Sequence, residues 1–267
     1  MRLGSYMAGF ALVVGTTGLA LFAQALVRRR INPDTLRACH EVGGYLLSVV
    51  GTLYAVLLGL IVVDAMAIFQ EAHQTTVQEA NALTDVILLA KRMPEEPRAR
   101  VLQLATRYAD LVVNREWDTM DHGRHLPEAR ETAIELLDAV VAFEPKTESE
   151  KTLHDAQVDA TIQLWNSRRN RTVLAAQTIP MLKWLVLVLG GVITVFFTFF
   201  FTVENGMLQG LMTALITVII VLNIFLVLMF GYPFSGDLRV DPTTYRAAHE
   251  LANLPSPALR PTATATP

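Results

Sequence analysis

Asp64, Glu71, Gln78 and Asp85 recur every seven residues through a stretch that begins apolar and ends polar. On a helix this spacing keeps the four side chains near one face, drifting by about 20° per step. One role for such a face is solvation, where a helix leaves lipid and presents its charges to water. Another needs copies of the chain: around a symmetry axis each position becomes a ring, and a carboxylate ring attracts cations and repels anions. Upstream, Gly44, Ser48, Thr52, Ala55 and Gly59 form a small, weakly polar stripe at three- and four-residue steps. That stripe reads either as close helix packing in lipid or as a pore wall. The candidate lining of a pore is therefore Ser48, Thr52, Ala55, Gly59, Asp64 and Glu71. Asp64 would cost about 2.5–3.5 kcal/mol at a span centre and much less at its end, where its position places it.

Other polar residues carry weaker signals. Asn223 is the one strongly polar residue deep in the last apolar stretch, and we expect it to hydrogen-bond to a neighbouring helix. Tyr45 reads as an interface anchor and Tyr54 as a packing residue. Asp121, His122 and His125 surround a glycine, a weak metal signal, and no metal is expected. His73 and His154 read as solvated or capping residues. Arg168, Arg169 and Arg171 could meet the Asp/Glu stripe, lipid phosphates or water. The segment Tyr232, Pro233, Phe234, Ser235, Gly236, Asp237 has turn chemistry and should make an ordered tail contact against the inserted domain, with Asp237 and Arg239 pairing locally. No nucleophile elbow, phosphate loop, HExxH or cofactor fingerprint occurs, so the sequence reads as neither an enzyme nor a cofactor protein.

The elements that must position these residues are four apolar stretches, each long enough to cross a hydrocarbon core of about 30 Å. They run over residues 6–27, 43–69, 179–202 and 207–230. None shows barrel-like alternation, so all four should be helices. The first resembles a signal peptide at Ala23-Gln24-Ala25, but Arg28-Arg29-Arg30 come directly after it and favour a retained anchor. Between spans 2 and 3 lies an inserted helical domain, residues 70–178. Phe69, Ala72, Thr76, Ala80, Leu83 and Ile87 continue span 2 as an amphipathic helix to about Lys91. Met93-Pro94-Glu95-Glu96-Pro97 breaks it. Val101, Leu104, Ala105, Tyr108, Leu111 and Val112 make the next face, and Ala133, Leu136, Leu137 and Val140 a third. Thr147-Glu148-Ser149-Glu150 has capping-box form and starts a fourth helix, carrying Ala156, Ala160, Leu164 and Trp165, with Pro180 as a kink or restart. The expected fold is all-α: a first transmembrane pair in 1–69 with a basic loop 28–42, the inserted bundle, a second pair in 179–231, and a segment 232–267 that starts ordered and ends disordered.

Composition agrees. Of 267 residues, 52 % are hydrophobic and 18 % charged, too apolar for an ordinary soluble domain. A net charge of −3 gives no basic face for nucleic acid. The lone cysteine, Cys39, excludes an internal disulfide. Arg28, Arg29, Arg30 and Arg37 share one side with the short connection at Val203-Glu204-Asn205-Gly206. The positive-inside rule puts that side in the cytoplasm, and the termini and inserted domain outside.

Basic Arg28-Arg29-Arg30, then "LRACHEVGGYLLSVVGTLYAVLLGLIVVDAMAIFQEA", "EANALTDV", "VENGMLQGLMTALIT" and the closing "GYPFSGDLRVDP" resemble the bacterial bestrophin-like membrane-protein family, over about residues 28–245. Where that family suggests a polar residue before His-acid, this chain has Cys39 ahead of His40-Glu41. The resemblance implies distant similarity to bestrophins, which are pentameric anion channels whose second span lines the pore and whose inserted domain is cytosolic. The charges of this chain imply the opposite orientation, with the inserted domain outside, and that orientation is the one expected here. The resulting expectation is a homo-oligomeric ion channel, a pentamer by resemblance, in a bacterial inner membrane, with lipid and inorganic ions as partners. The alternative is a non-conducting scaffold or envelope-sensing protein whose helical domain binds a partner.

Overall fold

The computed structural model describes residues 4–30, 40–200 and 205–253. Every element among them is helical. The expectations for Cys39, for the His40 and Glu41 side chains, for Arg37 and Glu204, and for the tail from 254 lie outside the described residues or side chains. The helices are α1 Gly4–Arg30, α2 His40–Ala90, α3 Glu95–Leu111, a π turn Val112–Glu116, α4 Trp117–Met120, α5 Pro127–Val141, α6 Glu148–Ala176, α7 Met181–Thr198, α8 Gly206–Phe230 and α9 Thr243–Asn253. Four of them, α1, α2, α7 and α8, are long and apolar enough to cross a membrane. Their surfaces stay apolar where they are exposed, as at Phe10, Phe22, Leu53, Leu60, Leu182 and Leu215. So much exposed apolar surface suits lipid, not water. The chain is a multi-pass membrane protein.

The chain divides into two compact units. One holds the residues up to Gln70 together with Gln177–Arg239; the other holds Glu71–Ala176 and the chain from Val240. In the first unit α1 packs along α8, and α8 along α7. Tyr54, Leu58 and Ala65 of α2 join Leu187, Ile220 and Val227 in its core. Asn205 caps α8 by accepting from the N–H groups of Met207 and Leu208. Tyr54 donates its hydroxyl to the Leu187 carbonyl at 2.9 Å. Its ring lies over Gly190 and Gly191, where any side chain at Gly190 would run into it. Small residues thus let α2 and α7 approach, as expected in lipid.

In the second unit α3 packs on α5, α5 on α6, and α9 on α3. The faces read from periodicity are the buried ones: Ala72, Thr76, Ala80, Leu83 and Ile87 on α2, and Val101, Leu104, Tyr108 and Val112 further on. The capping box forms as its sequence demands. The Glu150 N–H donates to Thr147 Oγ1 at 3.1 Å, and Glu150 Oε2 accepts from the Lys146 and Thr147 N–H groups. Pro127 opens α5, where a missing N–H costs nothing. Gly123, at φ +66, makes the left-handed turn before it. Pro180 is a restart: it caps α7.

The fourth bundle helix differs from the expected pattern. Ala156 is exposed and Trp165 half-buried, while Gln157, Ala160, Thr161, Leu164, Arg168 and Arg171 face inward. Polar residues hold most of those inward positions, so apolar spacing alone misplaces the face. A further helix, α9, comes after the turn segment.

Candidate functional site

α2 carries the six residues expected to line a pore. Ser48, Thr52, Ala55, Gly59, Asp64 and Glu71 are all exposed in the single chain. The helix buries Tyr54, Leu58 and Ala65 instead. A methyl group at Gly51 or Gly59 would meet nothing within 4 Å. The small stripe is thus not a packing seam within its own subunit. Thr52 spends its hydroxyl on the Ser48 carbonyl, 2.7 Å away in the same helix, which leaves a low-polarity surface.

Helix geometry divides the six residues. Ser48, Thr52, Ala55 and Gly59 lie within about 60° of one another, whereas Asp64 and Glu71 lie about 160° and 140° round from Ser48. Asp64 is not a bare charge. Its Oδ2 accepts from Lys183 Nζ of α7 at 2.5 Å, with the two side chains 50 % and 37 % exposed. Gln78 and Asp85 lie further along the same helix, in the second unit.

Asn223 corrects an expectation. Its Nδ2 donates to the Ile219 carbonyl of its own helix at 2.9 Å, in place of a bond to a neighbouring helix. The turn segment corrects another. Asp237 takes the Ser5 N–H at 2.8 Å, at the start of α1, in place of a local pair with Arg239. A carboxylate there meets the positive end of a 27-residue helix. Gly236, at φ +74, makes the turn that aims it. Pro233 and Phe234 are buried, Tyr232 is partly buried, and the segment through Arg239 belongs to the first unit.

The second unit contains a charge cluster that apolar periodicity misses. Glu79 of α2 pairs with Arg171 of α6 through Nε at 2.6 Å and Nη2 at 3.0 Å. Arg171 also reaches Glu116 at 2.9 Å, and Arg168 grips both Glu116 oxygens at 2.7 and 2.6 Å. Tyr108 donates to Glu79. Arg171, Glu79 and Glu116 side chains are 0 % exposed and Arg168 3 %. Trp117 and Tyr245 flank Arg171 at 5.3 and 5.8 Å from ring centre to guanidinium. The Trp117 indole N–H donates to the Val240 carbonyl at 3.0 Å.

Two guanidinium and two carboxylate groups thus cancel in charge inside a dry core. Burial alone raises the Glu116 carboxyl, but Arg171 and Arg168 outweigh it and hold it at about 2. Burial likewise raises the Tyr108 and Tyr245 phenols, so both stay protonated. Burial works against the charge on Arg168 and Arg171, but their acidic and phenolic neighbours outweigh it and keep both ionised. Arg169, between them, is exposed. The signal is present at Glu79: it sits in the middle of the Ala72–Thr76–Leu83–Ile87 face, one residue away from the seven-residue series that draws attention to Gln78. His122 and His125 are both exposed. No group of three or more metal-binding side chains occurs among the described residues.

A family model described as the bestrophin-like domain matches residues 14–245. No curated protein matches the chain. Among solved structures, one of a bacterial bestrophin homologue from Klebsiella pneumoniae, phased on zinc, aligns with a TM-score of 0.68 at 13 % identity, covering 90 % of this chain and 97 % of its own. A single-substitution variant of a Klebsiella pneumoniae bestrophin homologue gives 0.69 at 12 %, covering 90 % and 97 %. A structure described as a membrane protein gives 0.70 at 12 %, covering 91 % and 99 %. At these identities the likeness shows the fold.

Proposed function

The chain belongs to the bestrophin-like family, and from that premise we propose that it assembles into a homo-oligomeric ion channel whose axis is walled by α2. The observation that carries this reading is the uncovered stripe Ser48–Thr52–Ala55–Gly59. It is smooth, weakly polar and unpacked by its own chain, as a wall facing other copies should be. Asp64 and Glu71 stand on the flank of the same helix, where they act on ions through their field and not as a lining. Asp64 carries Lys183 with it, so its ring is close to neutral and does not impose cation selectivity. Five subunits are proposed on the family resemblance. We place the protein in the bacterial cytoplasmic membrane, with the basic loop 28–42 inside, as the arginine distribution indicates.

The test is the subunit number of purified full-length protein in nanodiscs, together with ion flux in liposomes. A ring with flux that cysteine-reactive reagents block at Thr52→Cys or Ala55→Cys supports the reading. A strict monomer, or sealed liposomes, sinks it.

A further inference from the structure

The junction of α1 and α8 holds polar groups that the fold leaves without partners. Gln209 is 2 % exposed, and neither its Nε2 nor its Oε1 has a hydrogen-bond partner. Gln24 is 4 % exposed, and its Nε2 has none. Burying amides unpaired is costly. The two helices run antiparallel there: Leu21 lies against Gly210, and the Arg28 guanidinium against Gly206, at the first turn of α8. Gln24 is one turn before Arg28, and Gln209 is one turn after Gly206. The orphaned amides therefore lie between those two contacts, beside a half-exposed guanidinium.

An apolar trough of about 460 Å³ starts next to this point. Ala23, the neighbour of Gln24, lines it with Ala20 and Thr16 of α1, Val195 of α7, and Val221 and Ile224 of α8. A guanidinium with two unpartnered amides beside it, one residue along α1 from an apolar trough, matches the two halves of a phospholipid.

We propose that this junction binds an anionic phospholipid, with its phosphodiester on Arg28 and the two amide Nε2 groups and one acyl chain in the trough. The chemistry narrows the headgroup further. Phosphate oxygens can satisfy both Nε2 groups and the guanidinium, but Gln209 Oε1 is an acceptor and needs a donor. A glycerol headgroup supplies hydroxyl donors next to its phosphate; choline supplies none. Phosphatidylglycerol therefore fits and phosphatidylcholine does not.

The experiment uses the full-length protein. Lipid retained in native mass spectra, and melting temperature, are measured with phosphatidylglycerol, phosphatidylcholine, soluble glycerol phosphate and inorganic phosphate. Phosphatidylglycerol should be retained and should raise melting above phosphatidylcholine. Arg28→Gln and Gln209→Leu should each lower its retention about tenfold or more, as the loss of a charged or buried hydrogen bond implies. Gln209→Leu is the folding control, since an apolar residue of similar size removes the orphaned amide; its melting in phosphatidylcholine should hold or rise. Equal retention of the two lipids overturns the proposal. So does unchanged retention in both variants. A full effect from inorganic phosphate or glycerol phosphate alone would make this an anion site and overturn the lipid assignment. Cross-linking of Ala20→Cys to a second copy would give the trough to another subunit, and overturn it as well.

Discussion

Lys183 Nζ stands 2.5 Å from Asp64 Oδ2, joining the second membrane helix to the third by an ion pair that is partly open to its surroundings. The pair changes what Asp64 can do. A lone carboxylate repeated around an axis is a cation attractor; a carboxylate matched by an ammonium is a dipole. An exposed pair of this kind contributes on the order of 0–1 kcal/mol to stability. Its consequence for ion passage is larger than its consequence for folding. Lys183→Ala should raise cation over anion permeability, and Asp64→Asn should lower it. The two variants should shift the reversal potential in opposite directions across a bilayer with a salt gradient. Matching reversal potentials in both would remove the pair from any part in selectivity.

The contact of Tyr54 with Gly190 and Gly191 fixes how closely α2 approaches α7. Gly190→Val places branched carbon where the ring now lies, and overpacking of this kind costs about 1–3 kcal/mol. Tyr54→Phe keeps the ring and loses only the bond to the Leu187 carbonyl, which is worth on the order of 1 kcal/mol. Melting in detergent should fall more for the glycine variant. Similar losses would mean that the hydroxyl, not the approach, holds the helices.

Arg171 is the hub of the charge cluster, touching both Glu79 and Glu116. Arg171→Met leaves two buried carboxylates short of compensation and should cost about 3–5 kcal/mol. Removing a carboxylate as well, in Glu79→Gln with Arg171→Met, should recover part of that loss. A double-mutant cycle on denaturant unfolding reads the coupling. Additive losses would show that the pair is not coupled.

Glu116 predicts an acid limb. Its folded value of about 2 lies below the ordinary 4.5. A depressed carboxylate contributes stability that is complete above the unfolded value and is lost as pH falls through the folded one. Unfolding midpoints should therefore hold from neutral pH down to about 4.5 and decline toward about 2. Glu116→Gln should start lower and decline less steeply over that window. A wild-type midpoint that stays flat in acid would count against the buried pairing.

The four spans, the break at Pro94 and the Thr147–Glu150 capping box are legible in the sequence, because each rests on local chemistry: length of apolar run, a missing N–H, a reciprocal side-chain bond. The charge cluster is not legible in the same way. On sequence alone Arg168 and Arg171 could seek the stripe, lipid or water. A charged residue is buried only when partnered, and here the partners come from 52 to 92 residues away in sequence. The turn at Gly236 reads as a turn, but the residue it brings Asp237 to, Ser5, is 232 residues distant. Helix α9 is hidden for another reason. Tyr245, Ala248, Leu251 and Ala252 do recur at helical steps, but over only 11 residues set between a turn and a Pro-rich tail, where a short period is easily passed over.

The π turn at Val112–Glu116 takes up one residue more than an α turn needs. Because the surplus is absorbed inside that one turn, Glu116 and Trp117 both come round to the buried face. Wound as an unbroken α-helix, the same residues would carry Trp117 about 100° further round, away from that face. A one-residue deletion between Val112 and Arg115 would therefore straighten the helix and leave Glu116 and Trp117 facing inward. A one-residue insertion would have to be absorbed by further unwinding or would rotate both by about 100°. In this stretch the core keeps its charge partners by how the backbone winds, not by residue identity alone.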